Sequence, residues 1–256
     1  MRADYRLPRL FVSEDLRSAA PIALTKEQSN YLLNVLRMAE GGMLLLFNGR
    51  DGEWRARLER QGKKSAILVP EQQTRAQPAA HDLHYLFAPL KVGRMDYMVQ
   101  KAIEMGAGVL QPVQTQHTQM PKINAGRLEA NMREAAEQCG ILTLAELQPM
   151  QRIGSLLENW DESRQIIYCD EDAEGDDPLP ILSALPRGPL AVLVGPEGGF
   201  SEDERRMLRA LPFVTAIPLG PRILRADTAA VAALTLVQAV CGDWRCDVHE
   251  DDRAGD

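Results

Sequence analysis

From about residue 82 onward, this 256-residue chain alternates short apolar runs of strand length with segments of helical periodicity. That order calls for a mainly parallel sheet covered by helices on both faces, because parallel neighbours need a crossover and the crossover is usually a helix. The strand candidates are 83–88, 109–113, 165–169, 190–194 and 213–218, and the helix candidates are 95–105, 125–139, 202–211 and 227–241. Ser201 with Glu204 forms a capping-box pattern that fixes the start of the third helix. The last helix is apolar almost all round, through Ala229, Ala230, Val231, Ala233, Leu234, Leu236 and Val237, so burial is expected.

Residues before this point read differently. Strand candidates 43–48, 53–60 and 65–70 are separated by turn signals at 48–52 and 62–64, and a small β-barrel is the natural way to close them. One helix precedes them: Thr25 and Gln28 form a capping box, and Tyr31, Leu32, Val35 and Leu36 recur on one helical face. The polar, proline-terminated stretch 72–78 reads as a linker. The expected organisation is therefore a β-barrel domain over 1–74, an α/β domain over 75–245 and an acidic tail over 246–256.

The net charge is −7, which argues against indiscriminate nucleic-acid binding. It is unevenly spread: residues 1–75 hold 13 Lys and Arg against 9 Asp and Glu, a local excess of +4. The acidic excess lies in 170–177 and in the tail, and both read as solvated segments. No segment reaches the apolar length that a bilayer needs, and the N-terminus lacks a signal pattern, so a cytoplasmic protein is expected. Cys139, Cys169, Cys241 and Cys246 have neither zinc-ribbon nor redox-pair spacing and read as reduced thiols. His81 and His84 read as ordinary surface histidines, and no metal is expected.

Two loops carry the chemistry. Gly195-Pro-Glu-Gly-Gly199 and Leu219-Gly-Pro-Arg-Ile-Leu-Arg225 each lie between a strand and a helix, where missing Cβ atoms let main-chain groups approach a ligand. The second loop holds Arg222 and Arg225 and runs into Asp227-Thr228, either of which is a credible N-cap. Arg225, between Ile223-Leu224 and an apolar helix, is expected to be partly desolvated and to need an anionic partner, a phosphate or a developing charge on a base. Dinucleotide, Walker, nucleophile-elbow and HExxH signatures are missing.

The two loops, together with Lys101–Glu104, Ala135-Ala-Glu-Gln138, Arg9–Val12, Val35–Arg37 and Phe47–Gly49, resemble the RsmE family of SPOUT RNA methyltransferases across residues 1–242. Asp227 stands where that family usually has glutamate, Ile141 where an arginine is common and His117 where a basic residue is expected. The resemblance implies an α/β trefoil-knot domain behind a PUA-like β-barrel, a homodimer, and methylation of uridine N3 in 16S ribosomal RNA, free or within the small subunit. It implies S-adenosylmethionine held by backbone atoms around Leu193, Gly195, Gly199, Leu219, Ile223 and Leu224, with Glu197 and Thr228 as further binding candidates and Arg225 and Asp227 as catalytic candidates. Arg225 would stabilise the uracil anion or orient the base, and Asp227 or a water would take the N3 proton. Arg9, Arg37, Arg50, Lys63, Lys64, Lys91 and Lys101 are the RNA-binding candidates. The competing readings are a knotted methyltransferase acting on a ribose hydroxyl or on transfer RNA, and a noncatalytic RNA-binding protein.

Overall fold

The computed structural model describes residues 6–62 and 64–244; Lys63, Cys246 and the acidic tail lie outside the described residues. The chain forms two compact units. One comprises the chain up to Ala80 together with Met132–Leu144, and the other comprises His81–Asn131 and the chain from Ala145 onward. The division falls later than residue 74, because the strand expected to end at 70 continues through the presumed linker to Arg75.

In the first unit, strands β1 (Arg9–Phe11), β2 (Ile22–Ala23), β3 (Met43–Phe47), β4 (Glu53–Arg60) and β5 (Ala66–Arg75) hydrogen-bond in the order β1-β3-β4-β5-β2. Only the β1–β3 pair is parallel. Alternating residues from all five strands, Leu10, Ile22, Leu44, Leu46, Leu58 and Leu68 among them, share one apolar core. Helix α1 (Lys26–Asn30) begins at the Thr25–Gln28 capping box and widens into a π-helical turn over Tyr31–Val35. There Leu36 N bonds to Tyr31 O, five residues back. That extra residue per turn rotates the apolar face, so Leu32 and Leu33 are buried while Val35 and Leu36 are exposed, contrary to the helical spacing.

The second unit is built on a parallel sheet. Its elements are β6 (Leu83–Phe87), α2 (Val92–Glu104), β7 (Ala107–Gln114), α3 (Ala125–Cys139), β8 (Glu146–Leu147), β9 (Gln151–Arg152), α4 (Ile153–Glu158) and β10 (Gln165–Cys169). They continue with α5 (Leu179–Ser183), β11 (Leu190–Val194), α6 (Glu202–Arg209), β12 (Val214–Ile217) and α7 (Ala226–Val240). Residues Ala125–Asn131 of α3 belong to this unit and the remainder to the first. The strand order is β12-β10-β11-β6-β7-β8, with β9 also pairing with β7, and every pair is parallel.

Each strand alternates its side chains between two covers. Leu86, Ile166, Tyr168, Ala191 and Leu193 pack with Leu156 of α4 and Leu208 of α6. α7 packs on β11, α2 and α5, and its buried face carries Ala229, Ala230, Ala233, Leu234 and Val237, as the apolar sequence demands. The short elements α4, α5, β8 and β9 escape sequence reading, because two to six residues hold less than two helical turns or three alternations of pattern.

Candidate functional site

Three neighbouring strands position the site. β12, β10 and β11 lie side by side and parallel, with Ile217 opposite Cys169 and Leu193 opposite Tyr168. Their carboxyl ends therefore coincide, and the three segments that leave them emerge together at the edge where α/β sheets bind ligands. These segments enclose a cavity of about 660 Å³. Gly195–Gly199 follows β11, Pro218–Ala226 follows β12, and Asp170, Glu171, Ala173, Gly175 and Asp176 follow β10.

The glycine positions in the first loop are required by space. A Cβ on Gly195 would lie 2.5 Å from the Phe200 ring, and Gly199 holds φ at +67°, where a side chain is strained. The loop ends at Ser201, whose hydroxyl accepts from Glu204 N while Glu204 accepts from Ser201 N, the capping box expected from sequence. Glu197 lines the cavity and pairs with Arg94 of α2 at 3.5 Å, a partner that sequence reading did not identify.

The third wall is the acidic segment that sequence alone assigns to solvent. Its first residue, Asp170, is buried at the end of β10. Asp170 Oδ2 accepts from Arg209 Nε at 2.9 Å and Nη2 at 2.6 Å, and Arg205 pairs with Asp172 and with Glu171 at 2.5 Å. Both arginines belong to α6, so the helix that follows the glycine loop is tied to the neighbouring wall. A polar residue closing an otherwise apolar strand was the available signal for Asp170. Cys169 forms part of the floor, and burial, reinforced by the Asp170 charge, pushes its thiol up to about 12, so it is neither a thiolate nor a nucleophile near neutral pH.

Of the cofactor candidates, Gly195, Glu197, Gly199, Leu219, Ile223 and Leu224 line the cavity. Leu193 and Thr228 are not lining residues: Leu193, whose expected contact is through its backbone, buries its side chain with the α4 and α6 residues, and Thr228 is exposed. Arg225 lines the cavity but is exposed, and its side chain has no ion pair or hydrogen bond among the described residues, so the expected desolvation is absent. The reason is local: Arg225 is itself the N-cap residue of α7, in extended conformation, and its side chain leaves the helix end. Asp227 and Thr228 fall inside the first turn instead of capping it, and Asp227 Oδ1 accepts from Thr228 N at 3.1 Å. Asp227 is not itself a lining residue of the cavity, although its chain neighbours Ala226 and Ala229 are. The Tyr85 hydroxyl is buried without a hydrogen-bond partner among the described residues, and burial, with the charge of Asp227, pushes its pKa up.

The basic candidates divide. Arg9 is buried, with Nε on Glu53 at 3.1 Å and its Nη groups on the carbonyls of Ala136, Glu137 and Ile141, so four of its five N–H donors are used within the first unit. It cannot face RNA as the sequence reading expected. Arg50 bonds to Ser13 O and Asp15, and Lys101 is held by Glu104 at 2.7 Å and lies 5.5 Å from the Tyr97 ring centroid. Arg37, Lys64 and Lys91 are exposed. His81 meets Asp243 and His84 packs edge-on against Trp160, so the two imidazoles have separate settings.

Comparison with known proteins gives concordant matches. A family described as RNA methyltransferase domain matches residues 77–238, and one described as RNA methyltransferase PUA domain matches residues 24–71. The chain is 29% identical over 232 residues to the ribosomal RNA small subunit methyltransferase E of Rickettsia conorii, covering 90% of this chain and 94% of that protein. Among solved structures it is similar to a Legionella pneumophila methyltransferase in complex with the cofactor SAM, with 29% identity, a TM-score of 0.82 and coverage of 93% and 99%. It is also similar to the ribosomal RNA small subunit methyltransferase E of Neisseria gonorrhoeae bound to S-adenosyl methionine, with 26% identity, a TM-score of 0.80 and coverage of 93% and 100%.

Proposed function

The chain belongs to the RNA methyltransferase domain family, and we propose that it transfers a methyl group from S-adenosylmethionine to N3 of one uridine in 16S ribosomal RNA. The single observation that carries this reading is the cavity shared by the two glycine loops, because a methyl-donor site requires them to meet. Its size lies within the range of cofactor pockets. Its lining fits the donor: Gly195 and Gly199 put no side chain into the space, Val194, Leu219 and Leu224 would offer apolar contact, and Asp176 would offer negative charge to a sulfonium. No metal enters the reading.

When bound, S-adenosylmethionine supplies a methyl on a positively charged sulfur, which departs as a neutral thioether. The protein has to position the acceptor in line and move one proton. Uracil N3 bears hydrogen and becomes a nucleophile only after losing it. In this reading the Asp227 carboxylate, or a water it orders, accepts the N3 proton. Arginine stays protonated and cannot accept it. Arg225, an exposed lining residue whose side chain has no partner among the described residues, stabilises the resulting uracil anion or orients the base.

The first unit is assigned to RNA holding, with the exposed Arg37 and Lys64 as contacts, Arg50 engaged with Ser13 and Asp15, Arg9 withdrawn and Lys63 a candidate on its sequence position alone; Lys91, exposed on the second unit, is a further contact. A homodimer is part of the reading and is supported by exposed apolar side chains on the second unit: Ile223, 93% exposed at the cavity rim, and Val92 and Tyr97 on α2. The apolar α7 no longer argues for it, since α2, α5 and β11 already cover that helix. The small ribosomal subunit is the proposed partner and the cytoplasm the proposed location; no helix among the described residues is long and apolar enough to cross a membrane.

The test is to incubate the protein with labelled S-adenosylmethionine and small subunits lacking the modification, then map the product by mass spectrometry. N3-methyluridine at one position is expected; a ribose 2′-O-methyl product, or binding of RNA without binding of the donor, overturns the assignment. Arg225→Ala should abolish single-turnover transfer while donor affinity stays within about twofold, since the side chain is assigned to the base. Asp227→Asn should lower the rate by about 100-fold if the carboxylate is the proton acceptor.

A further inference from the structure

The glycine loop is gripped from outside the cavity by the turn that follows β7. His117 Nδ1 lies 3.1 Å from the carbonyl oxygen of Gly198 and 3.2 Å from that of Gly199. Both partners can only accept, so Nδ1 carries a proton here whatever the charge of the ring. The contact is close enough that a Cβ on Gly198 would lie 3.3 Å from His117 Cβ. The turn is itself fixed, with Thr115 N donating to Thr118 Oγ1 at 2.9 Å and Thr118 N to Thr115 O at 3.2 Å. It also holds the far end of the loop: Gln116 N donates to Glu204 Oε1 at 2.8 Å, and Glu204 Oε2 closes the capping box on Ser201 N at 2.9 Å.

Glycines are the residues with most conformational freedom to lose, and two stand in succession here. A peptide group is planar and trans, so a carbonyl turned toward His117 turns the following N–H the other way. The N–H after the Gly198 carbonyl belongs to Gly199 and donates to Pro196 O at 3.0 Å. His117 therefore sets two consecutive peptide planes of a segment that walls the cavity, without being a cavity-lining residue itself.

We propose that His117 is a positioning residue for the methyl donor, its Nδ1–H holding the Gly198–Gly199 segment in the shape that receives the ligand. This rests on the reading of the cavity as the S-adenosylmethionine site. His117→Asn keeps an N–H donor at the place of Nδ1, whereas His117→Asp has nearly the same shape and offers only acceptors to the two carbonyls.

Calorimetry with S-adenosylmethionine should find the Asn variant within about twofold of the unsubstituted protein and the Asp variant weaker by about tenfold or more. In single-turnover assays the Asp variant should raise the donor concentration needed for half-maximal rate and leave the saturated rate within about threefold. Without ligand, amide exchange at Gly199 and Phe200 should accelerate in the Asp variant alone. Equal donor affinity in all three proteins, or an Asn variant as weak as the Asp variant, overturns the proposal. Absence of donor binding by the unsubstituted protein overturns the functional reading and this inference with it.

Discussion

Glu53 shows how much a single buried carboxylate can organise. It is 1% exposed and accepts from Arg75 Nη2 at 2.6 Å, Arg75 Nε at 2.9 Å, Thr74 Oγ1 at 2.9 Å and Arg9 Nε at 3.1 Å. Burial pushes its pKa up, but the bonds from Arg75 and Thr74 and the two arginine charges outweigh that and hold it below the usual carboxylate value. A depressed folded-state pKa contributes stability that is present above the ordinary carboxylate range and lost as pH falls through the lowered value. Glu53→Gln should therefore cost about 3 kcal/mol in urea unfolding at neutral pH, because two arginines lose their shared partner. The deficit should shrink as the solution is acidified below about pH 4. A pH-independent deficit would mean that the carboxylate charge is not what holds the cluster. The same residues explain why Arg9 misleads at the level of sequence. An arginine between apolar residues in a basic region looks available to phosphate, and only the approach of Ala136, Glu137 and Ile141 carbonyls reveals that its Nη groups are engaged inside the protein.

At the scale of elements, α6 couples the glycine loop to the acidic wall. Its start is fixed by the Ser201–Glu204 box and its body is fastened to Asp170 through Arg209 and to Glu171 and Asp172 through Arg205. Asp170→Asn keeps the size of the side chain but removes the charge that two cations face, with an expected loss of about 2 kcal/mol in stability. Its donor affinity should also fall by about tenfold as the wall loosens, and calorimetry reads this directly. Retention of both would show that the network is solvated decoration. Local chemistry makes these elements legible: both capping boxes stand where Thr25–Gln28 and Ser201–Glu204 place them, and the long strands and helices follow their periodicity. Where one residue too many entered a helical turn, at Tyr31–Val35, the periodic face was misread.

At the scale of the whole molecule, the exposed Ile223, Val92 and Tyr97 predict self-association. Light scattering should give twice the monomer mass at micromolar concentration, and Ile223→Glu should shift the population toward monomer; a monomeric parent protein at all concentrations rejects the dimer. The alternation of strand and helix, the two capping boxes and both glycine loops are written along the chain, because each depends on residues within a turn or two of one another. The order β12-β10-β11 is not, because strand neighbours are chosen by packing across the entire sheet. That order sets the end of β10 between the ends of β11 and β12, and so turns the acidic segment 170–176 from an apparent solvent loop into a wall of the cavity. It also decides that Arg209 meets Asp170 across 39 residues of sequence. Periodicity carries each element's own conformation, whereas charge pairing and cavity formation depend on which distant segments share one edge, and that was settled only by the tertiary structure.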